Sequence, residues 1–290
     1  MTRQSFLRAM QWMPERSFRN RLRKELEMSA HEMVKSPAPA GFTAVTAYPV
    51  LPRGTAEAFL TFVEQAFGAE NTMRVPRPDG SLMHAEIRMS GCVLECGESN
   101  EQFAPAPVCL HYYVPDVDAA YQAALKAGAE SLYEPTSRPY GDREAGVRDV
   151  AGNSWFLATH QGEHYIMEPL RSLTPYIMAN GAARLIEFLK EGLGAEAIYV
   201  GSSPEGRIPH AKIRIGDTVL EFSDASPQWP ATPVGLHYYV EDADAACERA
   251  VAAGGELISP PRDQPYGERS GTVKDPSGNS WYIAQLLQPR

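Results

Sequence analysis

The chain has 290 residues, 43% of them hydrophobic and 22% charged, and 27 Lys and Arg stand against 36 Asp and Glu for a net charge of −9. That length supports about two domains of about 100–150 residues each, and the acidic balance disfavours a nucleic-acid or anionic-membrane partner. No apolar run approaches the length of a membrane span, and Arg8 interrupts the apolar start at Phe6-Leu7, so neither a membrane anchor nor a signal-peptide core is expected.

Residues 1–40 stand apart as a basic arm. Arg3, Arg8, Arg16, Arg19, Arg21, Arg23, Lys24 and Lys35 outnumber its glutamates, and Phe18, Leu22 and Leu26 keep helical spacing. Ser36-Pro37-Ala38-Pro39-Ala40-Gly41 reads as the linker that ends it. Beyond it the chain repeats itself. Leu110-His111-Tyr112-Tyr113-Val114 recurs letter for letter at Leu236-His237-Tyr238-Tyr239-Val240, and the same spacing separates Gly68 from Gly194, Glu95 from Glu221 and Trp155 from Trp281. A period this long means a duplicated domain rather than a solenoid. The expected division is an arm over 1–40, a first domain over 41–160, a linker over 161–172 and a second domain over 173–287.

Each copy reads as two successive strand–helix–strand–strand–strand units, an α+β pattern expected to give curved mixed sheets with helices outside. In the first copy Thr55 is placed to cap a helix carrying Phe59, Phe62, Val63 and Phe67. In the second, Asn180 is placed to cap a helix whose Leu185, Ile186, Leu189 and Leu193 make one stripe, ended by Gly194. Asp242 is placed to cap the helix that Gly254 ends. Cys92 and Cys96 fall on one expected strand, about 13 Å apart, too far for a disulfide. All four cysteines are read as reduced thiols of a cytoplasmic protein.

The hairpin at Gly216-Asp217 decides which side chains can do chemistry. A two-residue turn sets Lys212 opposite Glu221 and Arg214 opposite Val219. Ala211, Ile213, Ile215, Leu220 and Phe222 then face the helices, which leaves His210, Lys212, Arg214 and Glu221 on the concave face. The same count in the first copy gives His84, Glu86, Arg88 and Glu95. Glu86 facing Glu95 is a repulsive pair unless a cation, a shared proton or a metal lies between, and Arg88, diagonal to Glu95, is the expected neutraliser.

Repeated strand–helix–strand–strand–strand units, His-Ala-x-Ile-Arg before a hairpin ending Val-Leu-Glu, and Tyr-Gly-x-Arg followed by Asp-x-x-Gly-Asn-Ser-Trp resemble the vicinal-oxygen-chelate superfamily. That superfamily includes glyoxalase I, extradiol dioxygenases, fosfomycin-resistance transferases and bleomycin-binding proteins, and the likeness is nearest to its PhnB-like branch. It extends over about residues 42–287. The resemblance implies a metal shell of a first-strand His or Gln, a Glu ending the hairpin, a His opening the second unit and a Glu on the last strand of that unit. Carried onto this sequence, the hairpin glutamates are Glu95 and Glu221 and the histidines His111 and His237, with Glu86 as a possible extra carboxylate. The first-strand position holds Thr46 and Thr174, and the last-strand position holds Phe156 and Tyr282. Half of the shell is missing, so no cofactor is expected beyond a weakly held divalent metal.

His111 and His237 are candidate proton-transfer groups, each beside Glu95 or Glu221. Candidate ligand contacts are Arg88, Arg214, Tyr113, Tyr239, Phe156 and Tyr282, with Tyr140, Arg143, Tyr266 and Arg269 at the cup mouths. Asp149 and Asp275 are alternative partners for the two loop arginines. Three functions follow. The first is metal-independent binding of a small organic molecule. The second is a divalent-metal or acid–base lyase, isomerase or dioxygenase using Glu95/His111 and Glu221/His237. The third is an interaction protein docked by its arm. The missing ligands favour the first, in a monomer whose two copies mimic a dimer.

Overall fold

The computed structural model describes residues 37–167 and 169–288. The expected helices of the basic arm, with Phe18, Leu22 and Leu26, lie outside the described residues. Four strand–helix–strand–strand–strand units follow one another. The first comprises β1 (Val45–Ala47), β2 (Val50–Leu51), α1 (Ala56–Phe67), β3 (Glu70–Pro76), β4 (Leu82–Met89) and β5 (Cys92–Glu98). The second comprises β6 (Cys109–Tyr113), α2 (Val117–Lys126), β7 (Glu130–Ser137), β8 (Asp142–Arg148) and β9 (Ser154–His160). The third comprises β10 (Leu173–Ala179), α3 (Ala182–Leu193), β11 (Glu196–Val200), β12 (Ala211–Ile215) and β13 (Thr218–Asp224). The fourth comprises β14 (Gly235–Tyr239), α4 (Ala243–Ala252), β15 (Glu256–Asp263), β16 (Glu268–Lys274) and β17 (Ser280–Leu286).

In the second, third and fourth units the first strand runs parallel to the last, and in the first unit β2 runs parallel to β5, pairings that the helical crossover makes possible. Between units the pairing follows the fold, not the repeat. β6 of the second unit lies antiparallel to β10 of the third, which joins the middle of the chain into an eight-stranded sheet ordered β11-β12-β13-β10-β6-β9-β8-β7. β1 of the first unit lies antiparallel to β14 of the fourth, in a five-stranded sheet ordered β1-β14-β17-β16-β15, and β2-β5-β4-β3 completes that side. Two cups result. The inner cup is made by the second and third units and the outer cup by the first and fourth, so each takes one half from each copy.

The face turned from the cups is apolar and packs on the helices. Leu110, Ala145, Val147, Trp155 and Leu157, with their counterparts Leu236, Val273, Trp281 and Ile283, are fully buried. The expected register of the second hairpin is found, Lys212 opposite Glu221 and Arg214 opposite Val219, as is Glu86 opposite Glu95. Trp155 Nε1 donates to Asp149 Oδ2 and Trp281 Nε1 to Asp275 Oδ2, each at 2.9 Å. These aspartates thus clamp the turn before the last strand and leave the loop arginines to other partners.

Two helix starts differ from expectation. Thr55 caps nothing with its side chain, and its Oγ1 donates to Pro52 O; the N–H groups of Gly54 and Ala56 go to Glu98 Oε1. Asn180 is not the cap of α3, because Gly181 takes that place at φ 87°, and Asp224 Oδ1 accepts from Ala182 N at 2.7 Å. In both cases a carboxylate ending the hairpin replaces a local cap, a contact between segments about 42 residues apart that local spacing does not reveal. Asp242 does cap α4 through Ala245 N. The four cysteines are free and buried. Among the described residues no helix is long and apolar enough to cross a membrane.

Candidate functional site

The floor of each cup is a histidine on the first strand of one unit facing a glutamate on the last strand of another. In the inner cup His111 Nδ1 lies 2.7 Å from Glu221 Oε2. In the outer cup His237 Nδ1 lies 3.0 Å from both oxygens of Glu95. This corrects the grouping by copy, Glu95 with His111 and Glu221 with His237: the antiparallel joins β6–β10 and β1–β14 bring the opposite halves together. Glu86 accordingly belongs with His237 and not with His111.

Tyr113 and Tyr239 lie beneath the histidines rather than on the walls. Each is 1% exposed, its ring against the imidazole at 4.5 Å and 4.3 Å respectively. Tyr113 OH donates to Asp142 Oδ2 at 2.7 Å. They support the floor and lie too deep for ligand contact.

The arginines also lie elsewhere. On β8, Asp142 and Glu144 alternate with Arg143, so Arg143 points to the helix side, where it forks onto Asp118 of α2 at 2.6 and 2.7 Å. Arg269 is held likewise by Asp244 of α4 and by Asp263. Both are helix-to-strand clamps and not ligand forks, and neither binds Asp149 or Asp275. Arg214 is exposed and lies 3.6 Å from Glu196, and Arg88 lies over Gly41. The group set between Glu86 and Glu95 is instead His84, whose Nε2 is 3.8 Å from an oxygen of each.

Sequence reasoning passed over the groups that alternate with those arginines. Asp142, Glu144 and Glu268 are buried and face the cups, and Tyr48, just after β1, and Tyr176 on β10 also turn to them. Period-two alternation from the outward Val147 and Val273 would have found the carboxylates. Tyr140 OH donates to Glu144 Oε1 and Arg138 Nε to Glu144 Oε2. His160 Nδ1 lies 2.5 Å from Asp142 Oδ1. The ligand-forming atoms of His111, Asp142 and Glu144 all fall within 4.8 Å of one another.

Electrostatics follow from this crowding. Burial works against the His111 imidazolium, but Glu221 outweighs it, with Glu144 and Asp142 adding, so its pKa is raised. Burial pushes the Glu221 carboxyl up, yet His111, His210 and Lys212 together hold it below its ordinary value. Lys212 Nζ stands 3.9 Å from Glu221, the place where the outer cup has Glu86.

The cups differ most in filling. In the inner cup Phe156, Tyr133 and Trp229 meet edge to face or stacked, with ring centroids 5.4–6.5 Å apart. In the outer cup the position of Tyr133 is taken by Ser259 and that of Glu144 by Ser270. There a cavity of about 350 Å³ remains, walled by Tyr48, Phe103, Tyr282, Met83 and Val75, with His84, Glu95 and His237 at its base and Tyr266 at its rim. A second hollow of about 500 Å³ opens at the start of α1, but its polar groups already answer one another: Arg53 with Asp79, Arg74 with Glu57 and Glu98 with backbone N–H groups.

Four units of this kind, cupped in pairs with a His–Glu floor, have counterparts among known proteins. The family description "Glyoxalase/Bleomycin resistance protein/Dioxygenase superfamily" matches residues 45–157 and again 169–283. The chain belongs to this superfamily. It is 30% identical over 139 residues to an uncharacterized protein of Mycobacterium tuberculosis, covering 44% of this chain and 82% of that one. It is 25% identical over 183 residues to the putative glyoxylase CFP32 of Mycobacterium bovis, covering 61% and 67%. Glyoxalase I from Zea mays shares the fold at a TM-score of 0.63 and 16% identity, over 83% of this chain and 92% of that one.

At the four shell positions that the resemblance implies, each cup presents one histidine and one glutamate beside a threonine and an aromatic residue. Thr46 and Thr174 occupy the first-strand position, opposite His237 and His111. The Phe156 and Tyr282 rings lie beside the same histidines where a second carboxylate is needed. Thr46 Oγ1 is buried and has no hydrogen-bond partner among the described residues.

Proposed function

We propose that this protein binds a small organic molecule in the outer cup, without the superfamily's metal shell. The cavity carries the reading. Its 350 Å³ lies in the range of small-molecule sites, and aromatic and aliphatic walls with a few convergent polar groups are what such a site needs. Tyr48, Phe103 and Tyr282 pack edge to face and offer flat surfaces to a ring. His84, Glu95 and His237 supply the polar end. Placement in the PhnB-like branch, a cytoplasmic location consistent with four free thiols, the copies at 41–160 and 173–287 and a monomeric state belong to the same proposal.

A second reading, acid–base catalysis, is supported by His111. Glu221 fixes its Nδ1 and leaves Nε2 facing the cup, the arrangement of a general base. The third reading, docking by the basic arm, concerns residues outside those described.

Binding is tested with 8-anilinonaphthalene-1-sulfonate and a panel of neutral, cationic and anionic aromatic compounds, followed by fluorescence and native mass spectrometry. Saturable one-to-one binding is expected, and Ser259→Tyr, which copies the filled cup, weakens it at least tenfold. Unchanged affinity in Ser259→Tyr, or no saturable binding by the wild type, overturns the proposal.

A further inference from the structure

We propose that the inner cup holds one divalent transition-metal ion on His111 Nε2, Asp142 and Glu144, a ligand set distinct from the superfamily's. The first observation is an imidazole nitrogen with nothing to bind. His111 is 7% exposed and its Nδ1 is engaged by Glu221, while Nε2 is fully buried and has no hydrogen-bond partner among the described residues. Buried polar atoms are seldom left in that state. The second observation is the company the imidazole keeps: one ring nitrogen of His111, a carboxylate oxygen of Asp142 and one of Glu144 all lie within 4.8 Å of one another, and with Nδ1 engaged by Glu221 the nitrogen left to bind is Nε2. Three atoms bonded to one such ion at about 2.0–2.2 Å and spaced evenly around it stand roughly 3.5–3.8 Å apart, so three atoms within 4.8 Å of one another close on an ion by moving inward by less than about 0.8 Å each.

The surroundings are those of a ligand set. A metal-bound histidine normally gives its other ring N–H to a carboxylate, and bound carboxylates are themselves hydrogen-bonded. Glu221 does this for His111, Tyr113 and His160 for Asp142, and Tyr140 and Arg138 for Glu144. Glu221 is therefore a positioning residue here, not a ligand. With a neutral imidazole, the ion and Arg138 face Asp142 and Glu144, while Glu221 is already paired with Lys212 at 3.9 Å. One imidazole and two carboxylates suit Mn²⁺, Fe²⁺, Co²⁺ or Zn²⁺ rather than a soft monovalent ion.

The outer cup is an internal control. Glu268 stands in the place of Asp142, with an oxygen 3.6 Å from His237 Nε2, but Ser270 stands in the place of Glu144. One ion per chain is expected. The inference does not depend on whether the outer cup binds an organic molecule.

The test is equilibrium dialysis of the full chain, freed of metal with chelator, against Co²⁺ and Zn²⁺, with the visible spectrum of bound Co²⁺ as a readout of coordination. One Co²⁺ per chain is expected. Asp142→Asn and Glu144→Gln each weaken binding at least tenfold, and Glu268→Gln leaves it unchanged. Glu221→Gln keeps the stoichiometry but weakens binding about 10–100-fold and shifts the spectrum, as loss of an orienting group should. In the wild type, Zn²⁺ moves the ¹⁵N resonance of His111 Nε2, a measurement independent of how the variants fold. Less than a stoichiometric ion, two ions per chain, full affinity in both Asp142→Asn and Glu144→Gln, or an unmoved Nε2 resonance overturns the proposal.

Discussion

Glu95 and His237 stand 142 residues apart in the chain, yet Nδ1 of the imidazole lies 3.0 Å from both oxygens of the carboxylate. Both side chains are buried, so the pair forms only when the first and last units of the chain have docked. Removing one member leaves the other buried without its main partner. Glu95→Gln is expected to destabilise the fold by about 3–5 kcal/mol. His237→Gln should cost a similar amount, and the double variant clearly less than the two together. Urea unfolding of the four proteins checks this, and strictly additive costs would show that the pair is not coupled.

The same docking bears on assembly. Each cup already joins a half from one copy to a half from the other, so the surface that a single copy would need to cover is covered within the chain. The full chain is expected to sediment as a monomer. Residues 41–160 and 161–288, produced as separate chains, are expected to co-purify one to one, because each lacks half of both cups. An obligate dimer of the full chain by sedimentation would contradict this.

Much of the architecture was legible in the sequence, because the repeat and the hairpin register are local. Gly216-Asp217 alone places Lys212 against Glu221, and strict alternation sends Ile213 and Leu220 to the helices. What local pattern does not carry is which half docks on which. Nothing in the letters around His111 says that its glutamate lies 110 residues onward at Glu221. The arginines misled for a different reason. Tyr-Gly-x-Arg drew attention to Arg143, whereas period two puts Asp142 and Glu144 in the cup and gives Arg143 to Asp118. Residue type suggested a ligand fork, and strand geometry decided against it.

Glu98 ties the first hairpin to the start of α1. One oxygen accepts from Gly54 N and Ala56 N, and the other from Leu82 N, at 2.7–3.1 Å. Burial pushes its carboxyl up, but the backbone N–H groups outweigh burial and hold its pKa below the ordinary value. A lowered folded pKa means that the carboxylate stabilises the fold above the unfolded value of about 4.3, and that this is lost as pH falls through the folded value. Glu98→Gln is therefore expected to cost about 1.5–3 kcal/mol at pH 7 and progressively less below pH 4. Chemical denaturation at pH 7 and pH 3.5 reads the difference, and an equal cost at both would remove the charge from the explanation.

Gly146 and Tyr133 face each other across β7 and β8, and a Cβ at Gly146 would run into the tyrosine ring. Their counterparts across β15 and β16 are Thr272 and Ser259, also face to face. A large residue meets glycine in the filled cup, and two small ones meet in the open cup, so the difference between the cups is a compensated exchange on one cross-strand pair. Gly146→Thr alone should overpack the inner cup and cost about 1–3 kcal/mol. Adding Tyr133→Ser should recover most of that and open space beside Phe156. Thermal unfolding of the single and double variants, with a crystal structure of the double, checks both statements. If the double variant is less stable than Gly146→Thr alone, the two positions do not compensate and the inner cup is filled for another reason.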